Sequence, residues 1–318
     1  MAMPDRRPII VVAGPTASGK SRAALDTAEA FNGAIINADS MQVYRELRVL
    51  TERPGIDEMC RVPHYLYGVL SAGEVCSAGR WLEMAAAAIA EVRAMGRLPV
   101  VVGGTGLYLR ALMEGLSSIP EVPELVRVEA RRLHADLGPE DFRKRLAEVD
   151  AEAAARLPAG DTQRLIRAYE VAVGTGRTLE AWQTEEAAKP AVPGWFASIV
   201  LVPPRDALYA AIDARFLRMV ERGAVEEVRA LLALGLDPDL PAMKAVGVRE
   251  LASVLRGEME LSRAVEAARR ATRHYAKRQF TWLRHQLAGS MVIPAQYSER
   301  HQSEMFSFIR QFVLTAKS

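Results

Sequence analysis

Lys20 and Ser21 close the run Gly14-Pro15-Thr16-Ala17-Ser18-Gly19-Lys20-Ser21, whose residue types suit the holding of linked phosphates. Glycines let consecutive backbone N–H groups turn inward on phosphate oxygens, the Lys20 ammonium adds a point charge, and the Ser21 hydroxyl is a ligand for Mg2+. The run follows a strand-like stretch at residues 9–13 and opens an Ala-rich helical stretch that ends at Asn32-Gly33. A cradle in that setting predicts a bound diphosphate or triphosphate. Two further polar groups stand at the ends of apolar runs. Ala34-Ile35-Ile36-Asn37-Ala38 reads as a buried parallel strand delivering Asp39-Ser40, and Leu98-Pro99-Val100-Val101-Val102 as another that delivers Gly103-Gly104-Thr105-Gly106. Ligands of open α/β sheets bind beyond the carboxyl ends of the strands, so Asp39 and Thr105 are expected to face the cradle.

A nucleotide-hydrolysing P-loop protein carries a second strand ending in an acid that holds Mg2+ and positions water. The strand at residues 98–102 ends instead in glycines and a threonine. Like charge disfavours a carboxylate beside a phosphate ester unless it has a task, so Asp39 reads either as a metal ligand or as a general base for a nucleophile attacking the phosphorylated group. Thr105 also suits a helix N-cap before Leu107-Tyr108-Leu109.

The elements that must position these groups form an α/β fold: a P-loop NTPase-like core with a parallel sheet flanked by helices, plus an all-helical insertion. Proline-rich stretches at residues 117–123 and 188–194 bracket a charged, helix-patterned segment with helix starts expected at Pro123, Pro139, Asp150 and Asp161. The expected division is residues 1–117 for the first part of the core, 118–196 for the insertion, 197–290 for the second part and 291–318 for a C-terminal tail. The 318 residues, half of them hydrophobic, suffice for one large core and a smaller lobe. The formal net charge is only +2, so any nucleic-acid surface must be a local patch. Residues 262–284 are the candidate. Arg263, Arg269, Arg270, Arg273, Lys277, Arg278 and Arg284 stand there against a single acid, Glu266, with Tyr275, Phe280 and Trp282 interleaved. Such a stripe suits phosphate neutralisation, an anionic site, or a solvated helix face. Cys60, Cys76 and the five histidines show no metal-ligand spacing. No apolar run reaches membrane-spanning length, and a cytoplasmic monomer without membrane contact is expected.

The motifs GPTASGKS (14–21), INADSMQVY (36–44), LPVVVGGTGLYLRALMEGL (98–116), DTQRLIRAYEV (161–171) with the following TGRTL, and ATRHYAKRQFTWLR (271–284), taken in this order, resemble the tRNA dimethylallyltransferases, also called tRNA isopentenyltransferases. The resemblance implies that Gly14, Pro15, Thr16, Ala17, Ser18, Gly19, Lys20 and Ser21 hold the pyrophosphate of dimethylallyl diphosphate, with Mg2+ at Ser21. The acceptor would be the exocyclic amine of the adenosine on the 3′ side of the anticodon in tRNA. Asp39 is implied as the base that takes the amine proton, Lys20 as a stabiliser of the leaving diphosphate, and Thr105 as a partner of the diphosphate or the base. Contacts to tRNA are implied for Asp39, Ser40, Met41, Gln42, Thr105, Arg127, Gln163, Arg164, Leu165, Ile166 and Arg167, and the insertion becomes a tRNA-gripping lobe.

Two places depart from the family's pattern. Leu50-Thr51-Glu52-Arg53-Pro54 stands where a Gly-Thr-Ala-Lys-Pro-like loop is usual, and Val248 stands where tyrosine is common. Neither touches Lys20, Ser21, Asp39 or Thr105. The alternatives are prenylation of free adenine nucleotides, a P-loop small-molecule kinase with Asp39 activating a hydroxyl, and a non-enzymatic nucleotide-binding module. An ATP-binding label would rest on the P-loop alone.

Overall fold

A computed structural model describes residues 7–185, 192–286 and 291–316. The chain divides into two compact units, Met1–Met113 with Ala191–Ser318, and Glu114–Pro190. The helical segment bracketed by proline-rich stretches corresponds to the second. Part of the bracket expected at residues 188–194 lies outside the described residues.

The first unit is built on a six-stranded parallel sheet. In chain order its first part runs β1 (Pro8–Ala13), α1 (Lys20–Ala30), β2 (Gly33–Asn37), α2 (Ile56–Arg61), β3 (His64–Tyr65), α3 (Ala78–Ala94), β4 (Leu98–Gly103) and α4 (Gly106–Glu114). The second unit holds α5 (Glu124–Ala147), α6 (Ala151–Arg156), α7 (Thr162–Thr175) and α8 (Leu179–Glu185). The chain then returns to the sheet with β5 (Trp195–Leu201), α9 (Arg205–Glu221), α10 (Ala224–Ala233), α11 (Val248–Leu255), α12 (Leu261–Gln286), β6 (Met291–Ile293) and α13 (Gln302–Ala316).

Strand order is β3-β2-β4-β1-β5-β6. The central strands β2 and β4 are buried along their whole length, and β1 from Ile9 onward, as near-continuous apolar runs covered on both faces must be. Register sets Val12 opposite Val102, and Val102 opposite Asn37, which brings the carboxyl ends of the three strands level. The chain leaves β1 toward β2 on one side and reaches β5 on the other, so a switch in winding direction falls where the loops after β1, β2 and β4 emerge.

The segment expected as a tail supplies the sheet's edge strand and α13. Met305 and Ile309 of α13 are wholly buried in the core formed with Ile10, Val12, Ala24 and Ile199. Its apolar residues are short runs on either side of a turn, which is why they read as tail.

In the second unit, Pro123, Asp150 and Asp161 occupy N-cap positions, and Asp150 accepts a hydrogen bond from the Ala153 N–H at 2.9 Å. α5 breaks at Gly138, whose φ of 74° suits glycine, and Pro139 opens the next turn. Phe142, Leu146, Leu165 and Tyr169 pack this unit's own core.

Candidate active site

The cradle between β1 and α1 is preformed. Gly19 at φ 88° turns the chain into α1, and a side chain there would also press on Tyr297, 3.0 Å from the position of its Cβ. Three distant groups brace it from behind. The Gln279 carbonyl accepts the Thr16 N–H at 2.8 Å while its amide donates to the Gly104 carbonyl at 2.9 Å, tying the loops after β1 and β4 to α12. Tyr297 N–H donates to the Ser18 carbonyl at 3.1 Å, and the Gln296 amide to the Ala17 carbonyl at 3.0 Å. The cavity in front measures about 410 Å3 and is lined by the loop, Lys20, Ser21, Asp39, Arg215 and Arg218, with Glu52 and Glu58 among its walls. Ser18 also lines it, and its hydroxyl is buried with no hydrogen-bond partner among the described residues.

Desolvation lowers the pKa of Lys20 to about 8; the Asp39 carboxylate offsets part of the fall and Arg215 adds to it. Arg215, on α9, donates to the Thr16 hydroxyl and pairs with Glu52 at 3.4 Å. Burial pushes its pKa down, against the pull of Glu52 and Asp39.

Asp39 owes its position to Asn37. That buried side chain accepts the Asp39 N–H at 2.9 Å and donates to the carbonyls of Asp39 (3.0 Å) and Leu66 (3.1 Å). The Trp81 indole, stacked on Tyr108, donates to the Asn37 carbonyl at 2.9 Å. One Asp39 oxygen accepts the Met41 N–H at 2.9 Å, and the other has no hydrogen bond among the described residues. Thr105 sits behind Asp39. Its hydroxyl accepts the Ser40 N–H at 3.0 Å and donates to the Ser40 hydroxyl, while its carbonyl receives the first N–H groups of α4. Gly106 beside it leaves room for Trp282, whose ring lies 2.3 Å from where a Cβ would stand. Thr105, expected to face the cradle, lines neither of the two cavities, and its hydroxyl hydrogen-bonds Ser40, the neighbour of Asp39.

A second cavity, of about 220 Å3, has mostly apolar walls: Met41, Leu50, Ile212, Phe216, Met219, Ala245 and Val246, with Tyr275 and Arg278 at its polar side. It shares Thr16, Asp39, Thr51 and Arg215 with the phosphate cavity. Leu50 is placed there because the Glu227 carboxylate accepts the N–H groups of Arg48, Val49 and Leu50 at 2.6 to 2.9 Å. The leucine that departs from the family pattern therefore adds apolar wall. Val248, the other departure, is buried at the start of α11. Ser40 and Met41 line the apolar cavity, whereas Gln42 lines the phosphate cavity and holds the carbonyls of Thr51 and Glu52.

The remaining residues expected at tRNA lie in the second unit. Arg127 is on α5, beside Glu121 and Glu124 at 3.9 and 3.6 Å. Gln163, Arg164 and Arg167 are on α7, with Arg164 paired to Asp161 and Arg167 to Glu170. Leu165 is wholly buried and Ile166 packs on the same core, so the leucine seats the helix and offers no side chain to a partner. On α12 the basic stripe splits. Arg273 is bound to Asp213 at 2.8 Å and Glu266 at 2.9 Å, and Arg269 donates to the Asp213 carbonyl, so this face braces α9; Arg270, Lys277, Arg278 and Arg284 are exposed.

Sequence reasoning missed Arg215, Gln279 and Asn37 as site residues. Gln279 lies inside a quoted motif, but Arg215 carries no local signal. Among the described residues no cluster of three His, Cys, Asp or Glu could hold a metal, and no helix is long and apolar enough to cross a membrane.

A P-loop between β1 and α1 and an apolar cavity that shares the Asp39 carboxylate with it, above a parallel sheet, define a P-loop protein. The family model described as IPP transferase matches residues 42–286, and the chain belongs to that family. It is 54% identical over 322 residues to the tRNA dimethylallyltransferase of Rhodospirillum rubrum, covering 100% of this chain and 99% of the relative, and 57% identical over 288 residues to that of Rhodospirillum centenum, covering 91% and 92%. Among solved structures it is similar to the full-length tRNA isopentenylpyrophosphate transferase of Bacillus halodurans (TM-score 0.70, 30% identity, 98% of each chain). It is also similar to a eukaryotic dimethylallyltransferase acting on tRNA (TM-score 0.80, 25% identity, 96% of this chain and 80% of that one).

Proposed function

We propose that this chain transfers a dimethylallyl group from dimethylallyl diphosphate to the exocyclic amine of an adenosine in tRNA, the one on the 3′ side of the anticodon, with Asp39 as the base. The observation that carries the roles is that Asp39 lines both cavities. A diphosphate in the cradle puts its ester oxygen at this shared wall, with the C5 group against the apolar side. The new C–N bond forms as the allylic C–O bond breaks; the amine proton passes to the Asp39 carboxylate and the electron pair leaves on diphosphate. Lys20, Arg215 and the loop N–H groups stabilise that charge, and the bound geometry supplies orientation that a weakly nucleophilic amine lacks. The Ser21 hydroxyl fits Mg2+ held mainly by diphosphate oxygens and water, and the ion would add charge neutralisation there. Thr105 acts through Ser40. An amine in an anticodon loop reaches this wall only if its base leaves the stack. Arg127, Gln163, Arg164 and Arg167 are the RNA-contacting groups of the second unit.

The test is incubation with Mg2+ and either dimethylallyl diphosphate or ATP, against unmodified tRNA or AMP. A C5 unit should appear on tRNA alone. Asp39→Asn should lower the single-turnover rate by ~10²–10⁴-fold while prenyl diphosphate still binds. A near-normal rate removes Asp39 as base; a phosphate on the product, or a C5 unit on AMP only, replaces the reading itself.

A further inference from the structure

Glu52 is the acid that departs from the family's loop pattern, and its carboxylate stands among the cations of the phosphate cavity. Its φ of 51° lies in the left-handed region that side chains other than Asn, Asp and Gly seldom adopt. The backbone is held there by the Gln42 amide, which donates to the carbonyls of Thr51 at 2.8 Å and Glu52 at 3.2 Å. The carboxylate is shared between Arg215 of α9 and Arg222, the C-cap residue of that helix. Arg215 Nε and Arg222 Nη1 each lie 3.4 Å from one of its oxygens. The Arg215 side chain is 20% exposed and lines the cavity, whereas that of Arg222 is 59% exposed and is not among its walls. Seven residues apart, they share a face of the helix.

A buried guanidinium without a counter-ion is costly, and Glu52 supplies one to Arg215. An incoming diphosphate supplies more charge to the same group, and two anions on one arginine repel. Arg222 offers the displaced carboxylate a partner without movement of the loop. We infer that Glu52 is a displaceable counter-ion: it positions Arg215 before the substrate arrives, moves onto Arg222 when diphosphate binds, and returns to help expel the product diphosphate. Glu52 is then a positioning residue that sets diphosphate affinity. The inference rests on the cavity being the diphosphate site.

Inorganic pyrophosphate with Mg2+, titrated calorimetrically into the full-length protein, tests it. Glu52→Gln should bind pyrophosphate about three- to ten-fold tighter than the unsubstituted chain and lower KM for the prenyl diphosphate without raising kcat. Arg222→Gln should weaken pyrophosphate binding, because the carboxylate then stays on Arg215. In the Glu52→Gln background the Arg222 substitution should have no effect. Equal or weaker binding by Glu52→Gln, with an unchanged melting temperature, would overturn the inference, as would an Arg222 effect that survives loss of the carboxylate. A folded Glu52→Asp variant that restores the original affinity supports it where Glu52→Gln melts early; one that binds tighter still overturns it. If the unsubstituted protein does not bind pyrophosphate and Arg215→Gln changes nothing, the diphosphate reading itself fails, and this inference with it.

Discussion

Lys20 is charged at neutral pH but close to its titration. Its pKa of about 8 comes first from desolvation in the cavity, with Asp39 holding it up and Arg215 pushing it down. The ammonium is therefore present below about 8 and lost above it, and only the charged form attracts diphosphate. Binding of dimethylallyl diphosphate without tRNA should be flat with pH up to about 7.5 and weaken above about 8, approaching tenfold per pH unit. Bound diphosphate raises this pKa, so above pH 8 protons are taken up on binding, which calorimetry in buffers of different ionisation enthalpy would read. Lys20→Met should abolish the step; a step that persists belongs to another group.

At the scale of elements, α12 does two jobs with two faces. Its buried Gln279 joins the loops after β1 and β4, and substitution by leucine leaves the Thr16 N–H and the Gly104 carbonyl unpaired. An unsatisfied buried group costs about 1–3 kcal/mol, so Gln279→Leu should lower the melting temperature and speed hydrogen exchange at the cradle. Unchanged exchange at Thr16 would mean that Tyr297 and Gln296 hold the loop unaided. The opposite division applies to its cations. Arg273 is spent on Asp213 and Glu266, whereas Lys277 and Arg278 are exposed. Arg273→Ala should therefore appear in thermal stability, and Lys277→Ala with Arg278→Ala in the salt dependence of tRNA binding.

For the whole molecule, a net charge of +2 means that RNA affinity depends on where cations stand. Among the described residues Arg164 pairs with Asp161, the N-cap of α7, and Arg167 with Glu170 on the same helix, and pairs with so exposed an arginine contribute little to stability. Replacing both with alanine should leave the fold and prenyl diphosphate binding intact. It should weaken tRNA binding and reduce the log–log salt slope by up to about two, roughly one per phosphate contact. Unchanged tRNA affinity would move the RNA contact of this unit away from α7.

What the sequence by itself determined is what short-range physics decides. The cradle is eight adjacent residues, β1, β2 and β4 are largely apolar runs, Asp39 stands two residues past the end of β2, and Pro123, Asp150 and Asp161 mark helix starts, Asp150 with a capping hydrogen bond. What the tertiary structure decided are pairings across long separations. Thr16 meets Gln279 from 263 residues away and Arg215 from 199, and Glu52 reaches Arg222 across 170. No periodicity marks such partners, because a buried polar group takes whatever donor or acceptor the packing of distant elements brings to it. The same reason turned residues 291–316 from an expected tail into a sheet edge and a core helix. It also took Arg273 out of the expected RNA surface, since the acid that claims it, Asp213, lies on α9.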